Sequence, residues 1–349
     1  MKSTSKLILV LLLGLFSTSI FAKDNFKVCW SIYVGWMPWG YAQESGIIKK
    51  WADKYGISID VVQINDYVES INQYTSGGFD GCSMTNMDAL TIPAAGGVDS
   101  TALIVGDFSN GNDGIVLKGK KNLKDIKGQK INLVELSVSH YLLARGLDSV
   151  GLKERDVSVV NTSDADMVAV YGTSSVTSVA TWNPLLSEIL KTPDSHKVFN
   201  SSQIPGEIID LMVVNTKTLE ENPKFGKALT GAWYEMMHTM KGKSKKAIAA
   251  RKSMAKASGT NLKGFDAQLS TTAMFYNAAD AVKFTKSPKL KTTMKYVAEF
   301  SYSHALLGDG APDAGFIGIQ TPSGVFGNKA NIKLRFAPSY MDMAAKGKL

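Results

Sequence analysis

Short apolar runs of strand length alternate with segments of helical periodicity along most of this chain, and glycines punctuate the changes. Residues 28–34 form an apolar run that breaks at Gly35 into a loop holding Trp36, Pro38 and Trp39. Helical spacing then runs over 41–55 and stops at Gly56. Residues 57–63 alternate and are β-branched, predicting a second strand, and 67–75 a helix begun at Asp66 and ended by Gly77 and Gly78. Residues 79–84 predict a third strand that leads into the polar stretch Thr85, Asn86, Asp88, and 103–105 a fourth. Strand, loop and helix in this order build βαβ units, whose ligands sit at the carboxyl ends of the strands.

The pattern changes at 106–114, GDFSNGNDG, a glycine and asparagine cluster between two apolar runs. The strand predicted at 114–117 leaves the first sheet there. A second series follows: strands at 130–133, 157–160 and 176–181, and helices at 123–127, 139–150, 164–171 and 182–190. The apolar strand 208–214, interrupted by Asp210, carries the chain back. Helices are expected near 225–240, 245–258, 265–274, 278–287 and 289–300, and the tail from Gly308 reads as loop with a late helix at 339–345. The expected fold class is therefore α/β, with two Rossmann-like lobes joined by two hinge strands. Residues 23–110 and 211–349 form lobe 1, and 111–210 form lobe 2. A lobe left and re-entered through two strands suits closure around a ligand.

Composition adjusts this picture in three places. Residues 1–22 place Lys2 and Lys6 before an apolar run, then small polar residues and Ala22, the order of a cleaved export signal. The run is too short to span a bilayer. The chain carries 39 basic and 31 acidic residues, a net charge of +8; losing Lys2 and Lys6 with the leader leaves 37 against 31, or +6. The lysines are scattered or clustered at helix ends, without interleaved aromatics, which points to a solvated surface and not to nucleic acid. Cys29 and Cys82 lie in predicted central strands, where either a disulfide or two buried thiols fits.

Catalytic signatures are missing: no phosphate-binding glycine loop, HExxH, GxSxG or dinucleotide fingerprint occurs, the four histidines are far apart, and two cysteines build no zinc site alone. A binding protein without cofactor or metal, and not an enzyme, is the expectation. Three tryptophans and two tyrosines between Trp30 and Tyr41 exceed what a core strand needs, so Tyr33, Trp36 and Trp39 are candidate ring faces for a ligand, with Trp182 from the second lobe. The bland alternative for each is core packing. Thr85, Asn86 and Asp88 stand where a helix N-terminus aims donors at a ligand, or Asp88 merely complements the helix dipole. Glu135 and Ser137 precede a helix and serve either as ligand groups or as caps. Ser139 carries the same two readings, and His140 is expected beneath the helix. Glu207 flanks the return strand or is a solvated loop acid. Asp210 stands out, because an acid inside an apolar strand needs a partner.

The segments CWSIYVGWMPWGYA, MTNMDAL with AAGG, VELSVSHYLLARGLDSVGL, ATWNPL and DLMVVN together resemble periplasmic solute-binding proteins of the nitrate/sulfonate/taurine class, over nearly all of the chain after residue 22. They are most similar to a subgroup accompanying urea-carboxylase-type, guanidine-degrading gene clusters. The resemblance implies a type II periplasmic binding fold, and a monomer that delivers a small nitrogenous solute to the permease and ATPase of an ABC importer. Arginines, which a sulfonate or nitrate site favours, are few and lie away from the predicted strand tips, while acids occupy those tips. Acid plus aromatic suits a planar cation, guanidine before urea. A sulfonate, taurine or pyrimidine-like ligand on the same fold is the alternative. So is an enzyme akin to thiamine-pyrimidine synthases, whose cysteine-rich signature is missing here.

Overall fold

The first strand, β1 (Asn25–Trp30), buries Phe26, Val28, Cys29 and Trp30, and a large sheet is assembled around it. The structure is a computed structural model that describes residues 23–349; the export signal expected over 1–22 lies outside the described residues. β2 (Ser58–Gln63) and β3 (Gly81–Thr85) lie parallel to β1 on either side. Cys29 and Cys82 are direct neighbours across the β1–β3 pair, with Cα atoms 4.4 Å apart, and form a disulfide.

β4 (Ser100–Phe108) leads out of this sheet, and β5 (Asp113–Lys118) begins a second one after only four residues. The second sheet adds β6 (Lys130–Leu133), β7 (Ser158–Asn161), β8 (Ser178–Trp182) and β9 (Ser195–Asn200) in the order β7-β6-β8-β5-β9. β10 (Ile209–Asn215) returns to the first sheet and lies antiparallel between β3 and β4. The tail contributes β11 (Gly318–Thr321), β12 (Gly324–Phe326) and β13 (Ile332–Phe336), completing eight strands in the order β12-β11-β13-β4-β10-β3-β1-β2. Mixed α/β architecture with two sheets is therefore present as expected.

Several local expectations are corrected. The single helix over 41–55 is two, Met37–Glu44 and Ile47–Lys54, because Gly46 takes a left-handed conformation with φ 78° between them. The first starts early enough to take in Pro38 and Trp39, which the sequence placed in a loop; proline is tolerated at a helix's first turn. The tail is not only loop. β11 and β13 are short, but Ile319, Leu334 and Phe336 are fully buried or nearly so beside β4. β9 escaped detection because its pattern SHKVFN buries only Phe199 and it lies at the sheet's edge.

Candidate functional site

The loop after β1 turns sharply at Gly35, where a Cβ would lie 2.7 Å from the Asp107 Oδ2, so only glycine lets the loop approach β4 this closely. That approach sets the Tyr33 hydroxyl 2.8 Å from Asp107 Oδ1, to which it donates. Tyr33 also meets Trp36 edge-on at 5.0 Å between ring centroids. Trp36 is tilted on Tyr67 at 5.6 Å, and Tyr67 meets Trp182 edge-on at 5.6 Å. Trp182 comes from the end of β8 in the second sheet, so these four rings span both halves.

They enclose, with Thr85, Asp113, Val138, Ile208 and Asp210, a cavity of about 10 Å³, the size of one water-sized sphere. Each of these nine residues is buried. Direct bonds hold the two halves together around it. Val34 N–H donates to the Asn183 carbonyl and Trp182 Nε1 to the Ile32 carbonyl, both at 3.2 Å. Tyr67 N–H donates to Asp164 Oδ1 at 3.2 Å, and Ser163 Oγ to Asp66 Oδ2 at 2.7 Å. These contacts leave the cavity sealed between the two sheets.

Acids dominate the electrostatics. Asp210 on β10 is paired in register with Asp107 on β4, and Asp113 opens β5, so these three carboxyls sit where the chain crosses between sheets. Burial raises Asp113 to about 7, and the Ser109 hydroxyl that donates to it offsets only part of that. Burial raises Asp107 as well, and raises Asp210 further because Asp107 repels its charge. Asp88 is raised to about 6 by burial, although Tyr67 Oη and Thr85 Oγ1 donate to its Oδ2 at 2.6 and 2.7 Å. One oxygen each of Asp88, Asp107 and Asp210 is buried without a hydrogen-bond partner, as is the Trp36 indole N–H. None of the nine lining residues is Arg, Lys or His.

Of the residues singled out in the sequence, Tyr33, Trp36, Thr85, Trp182 and Asp210 line this cavity. Asp88 supports it through Tyr67 and Thr85. Ser137 lies just before Val138 and caps the helix Val138–Ser149, its Oγ accepting from Ser139 N–H at 3.2 Å. Four others have different positions. Trp39 is stacked on Trp233 at 4.6 Å in the core, carried there by the early helix start. Asn86 clamps the return strand, its side chain bonding the Glu207 carbonyl and Ile209 N–H at 3.1 and 2.9 Å. Glu135 is exposed. Glu207 is engaged by Arg145 Nε at 2.8 Å and the Tyr141 hydroxyl at 2.6 Å, outside the cavity. Tyr67, Asp107 and Asp113 were not foreseen. An acid directly before and after the glycine-rich crossing, GDFSNGND, was the available signal for two of them.

The sequence profile described as the NMT1-like family matches residues 30–257, well over half of the chain. A protein of Brucella abortus (strain 2308), named as a candidate binding protein, is 26% identical over 181 residues, covering 50% of this chain and 53% of that protein. The chain thus spans about half the length of the curated relatives it matches. Among solved structures, the alkanesulfonate-binding protein of Xanthomonas axonopodis pv. citri, bound to MOPS, superposes with a TM-score of 0.66 at 16% identity over 82% of this chain and 95% of that one. The periplasmic nitrate-binding protein of Synechocystis PCC 6803 gives 0.58 at 14% identity over 92% and 98%. At these identities the likeness shows a shared periplasmic-binding-protein fold.

Proposed function

The chain belongs to the NMT1-like family, and on that premise we propose that it is the periplasmic solute-binding component of an ABC importer, capturing a small planar nitrogen cation of the guanidinium type by closing two lobes over it. Residues 23–110 and 211–349 form one lobe and 111–210 the other, with β4–β5 and β9–β10 as the crossings. The role is capture and delivery to a permease and its ATPase, not catalysis, and the chain works as a monomer.

The observation that carries the ligand class is the unpaired charge capacity of the cavity wall. Asp210 and Asp113 line the cavity, Asp210 keeps a buried oxygen without a partner, as does Asp107 paired with it behind the wall, and no lining side chain is cationic. A buried carboxylate left unpaired costs several kcal/mol, on the order of the desolvation penalty it has suffered. A cation that donates to these oxygens offsets that cost, and the flanking rings of Trp36 and Trp182 suit its planar faces. Closure removes water from the pair and strengthens the attraction. At about 10 Å³ the cavity as it stands holds no more than a water, so a ligand of few atoms is taken up only with the lobes held slightly further apart than here. Guanidinium suits the acid and ring chemistry first and urea second.

Titration of the purified chain with guanidinium, urea, taurine and nitrate at low ionic strength, followed by calorimetry and tryptophan fluorescence, tests this reading. Saturable binding of guanidinium with quenching or enhancement of Trp36 and Trp182 emission is expected. Binding of taurine or nitrate without guanidinium overturns the cation. One observation favours that second reading: the unpaired Trp36 indole N–H is a donor seeking an acceptor, which a sulfonate oxygen would provide.

A further inference from the structure

On the far side of the helix Val138–Ser149, away from the acid-lined cavity, three metal-ligand side chains converge from both halves of the molecule. His140 lies in that helix and Glu154 in the turn Glu154–Asp156 after it. His304 caps the helix Pro288–Ser303, which packs against the tail strands of the large sheet. His304 Nε2 is 2.7 Å from Glu154 Oε1, and His140 Nε2 is 3.6 Å from Glu154 Oε2. One ligand atom from each residue lies within 4.8 Å of the other two. We propose that His140, Glu154 and His304 form a binding site for a divalent first-row transition ion, Zn²⁺ being the probe, that ties the two lobes together.

Four observations support it. Two imidazoles and a carboxylate are a borderline-soft donor set suited to such an ion, and three protein ligands leave one position for water. A groove of about 780 Å³ is lined by two of the three, Glu154 and His304, and provides an entry path. His140 Nε2 is buried with no hydrogen-bond partner, its side chain only 6% exposed, and faces the carboxylate beyond bonding distance. His304 Nδ1 lies 2.8 Å from the Phe300 carbonyl, the outer-sphere bond that fixes a ligating imidazole with its other nitrogen free.

Binding rearranges two bonds. His140 Nδ1 now accepts from Leu136 N–H at 3.2 Å, so in neutral His140 the proton is on Nε2. Ligation through Nε2 moves that proton to Nδ1 and releases the Leu136 amide. Leu136 is 42% exposed with φ 60°, and water takes up its N–H. On His304 the ion takes the place of the proton shared with Glu154, which is released to solvent. Because His304 belongs to one lobe and its partners to the other, the ion binds the closed form.

The experiment is a calorimetric Zn²⁺ titration of the purified metal-free chain, with native mass spectrometry for stoichiometry. One ion per chain is expected, weakened more than about a hundredfold by His140→Ala, Glu154→Gln and His304→Ala, beyond what loss of an outer-sphere partner alone produces. Glu299→Gln, on the same groove, leaves it unchanged. No saturable binding, or binding indifferent to the three substitutions, overturns the site and leaves Glu154 and His304 as an ion pair only. If a variant fails to fold, the unaltered chain decides. Co²⁺ must then produce the intense visible bands of a four-coordinate site, and the Leu136 amide resonance must move on Zn²⁺ addition; the lack of either overturns the proposal.

Discussion

Asp210 and Asp107 face each other across antiparallel β10 and β4, at the point where the chain leaves the large sheet and comes back to it. Two buried carboxyls in register cannot both ionise cheaply without a cation beside them. Asp210→Asn removes one charge and keeps the shape. Guanidinium binding should weaken by about 1.5–3 kcal/mol, more than tenfold, from the lost charge-assisted bond. The ligand-free protein should melt at an unchanged or higher temperature. Calorimetry and a thermal melt read the two effects, and unchanged affinity would remove Asp210 from the ligand.

The same acids set a pH dependence whose sign can be worked out. Burial raises Asp113 to about 7 and Asp88 to about 6 in the folded protein, against a reference value of 3.8. Between that reference and the folded values, the native state holds protons that the unfolded chain has released. Stability of the ligand-free protein therefore falls as pH rises from about 4 through about 7, and the still higher Asp210 continues the fall beyond that. A cationic ligand needs the ionised form, so its affinity runs the other way and rises over pH 5–8. Melting temperature and dissociation constant, each followed over that range, should move in opposite senses.

Much of this site was legible in the sequence, and the omissions have physical causes. Asp210 announces itself as an acid inside ILM-type apolar residues, and Tyr33 and Trp36 as aromatics at a strand tip. Asp107 and Asp113 belong to the glycine and asparagine cluster expected as a crossover between sheets, a reading that gives no burial for its acids. The packing of β4 and β5 on either side makes them interior. Tyr67 has an ordinary helical position, and only the return of Trp182 from β8 turns it into a wall. Trp39 erred in the opposite direction: an aromatic beside a proline looks like loop until the helix Met37–Glu44 rotates it onto Trp233.

Gly35 tests the geometry without touching charge. A methyl group there meets the Tyr33 ring first and Asp107 Oδ2 at 2.7 Å, separations that real Cβ atoms do not tolerate. Gly35→Ala should displace the Tyr33 ring and push the Tyr33–Trp36 loop off β4, costing about 1–3 kcal/mol of stability through overpacking. Guanidinium binding should drop well beyond tenfold because the ring faces move with the loop. Chemical denaturation and calorimetry measure these losses.

The disulfide joins residues 53 apart in sequence, between two central strands of the large sheet. Cross-linking a loop of that length constrains the unfolded chain, and its removal should cost about 2–5 kcal/mol. Cys29→Ala with Cys82→Ala, or reduction of the native protein, should lower the denaturant midpoint by that amount. Affinity for the ligand measured below the transition should stay the same, since neither sulfur lines the cavity.

Glu207 distinguishes an acid that holds the crossing strand from an acid that holds the ligand. It lies just before β10 and receives Arg145 Nε and Nη2 at 2.8 and 3.0 Å, with the Tyr141 hydroxyl at 2.6 Å. Those donors come from the helix Val138–Ser149 in the same 111–210 segment, so the cluster anchors the crossing just before β10 to that lobe as a charge-assisted clasp. Glu207→Gln leaves the Arg145 guanidinium facing a neutral amide, and the crossing that carries Ile208 and Asp210 into the cavity is held less firmly. Every ligand that uses this wall should then weaken by the same factor, whatever its charge. Asp210→Asn, by contrast, should penalise guanidinium far more than urea, because only the cation misses the carboxylate. Comparing the guanidinium-to-urea affinity ratio across the two variants separates the roles. A ratio shifted equally by both substitutions would place Glu207 at the ligand after all.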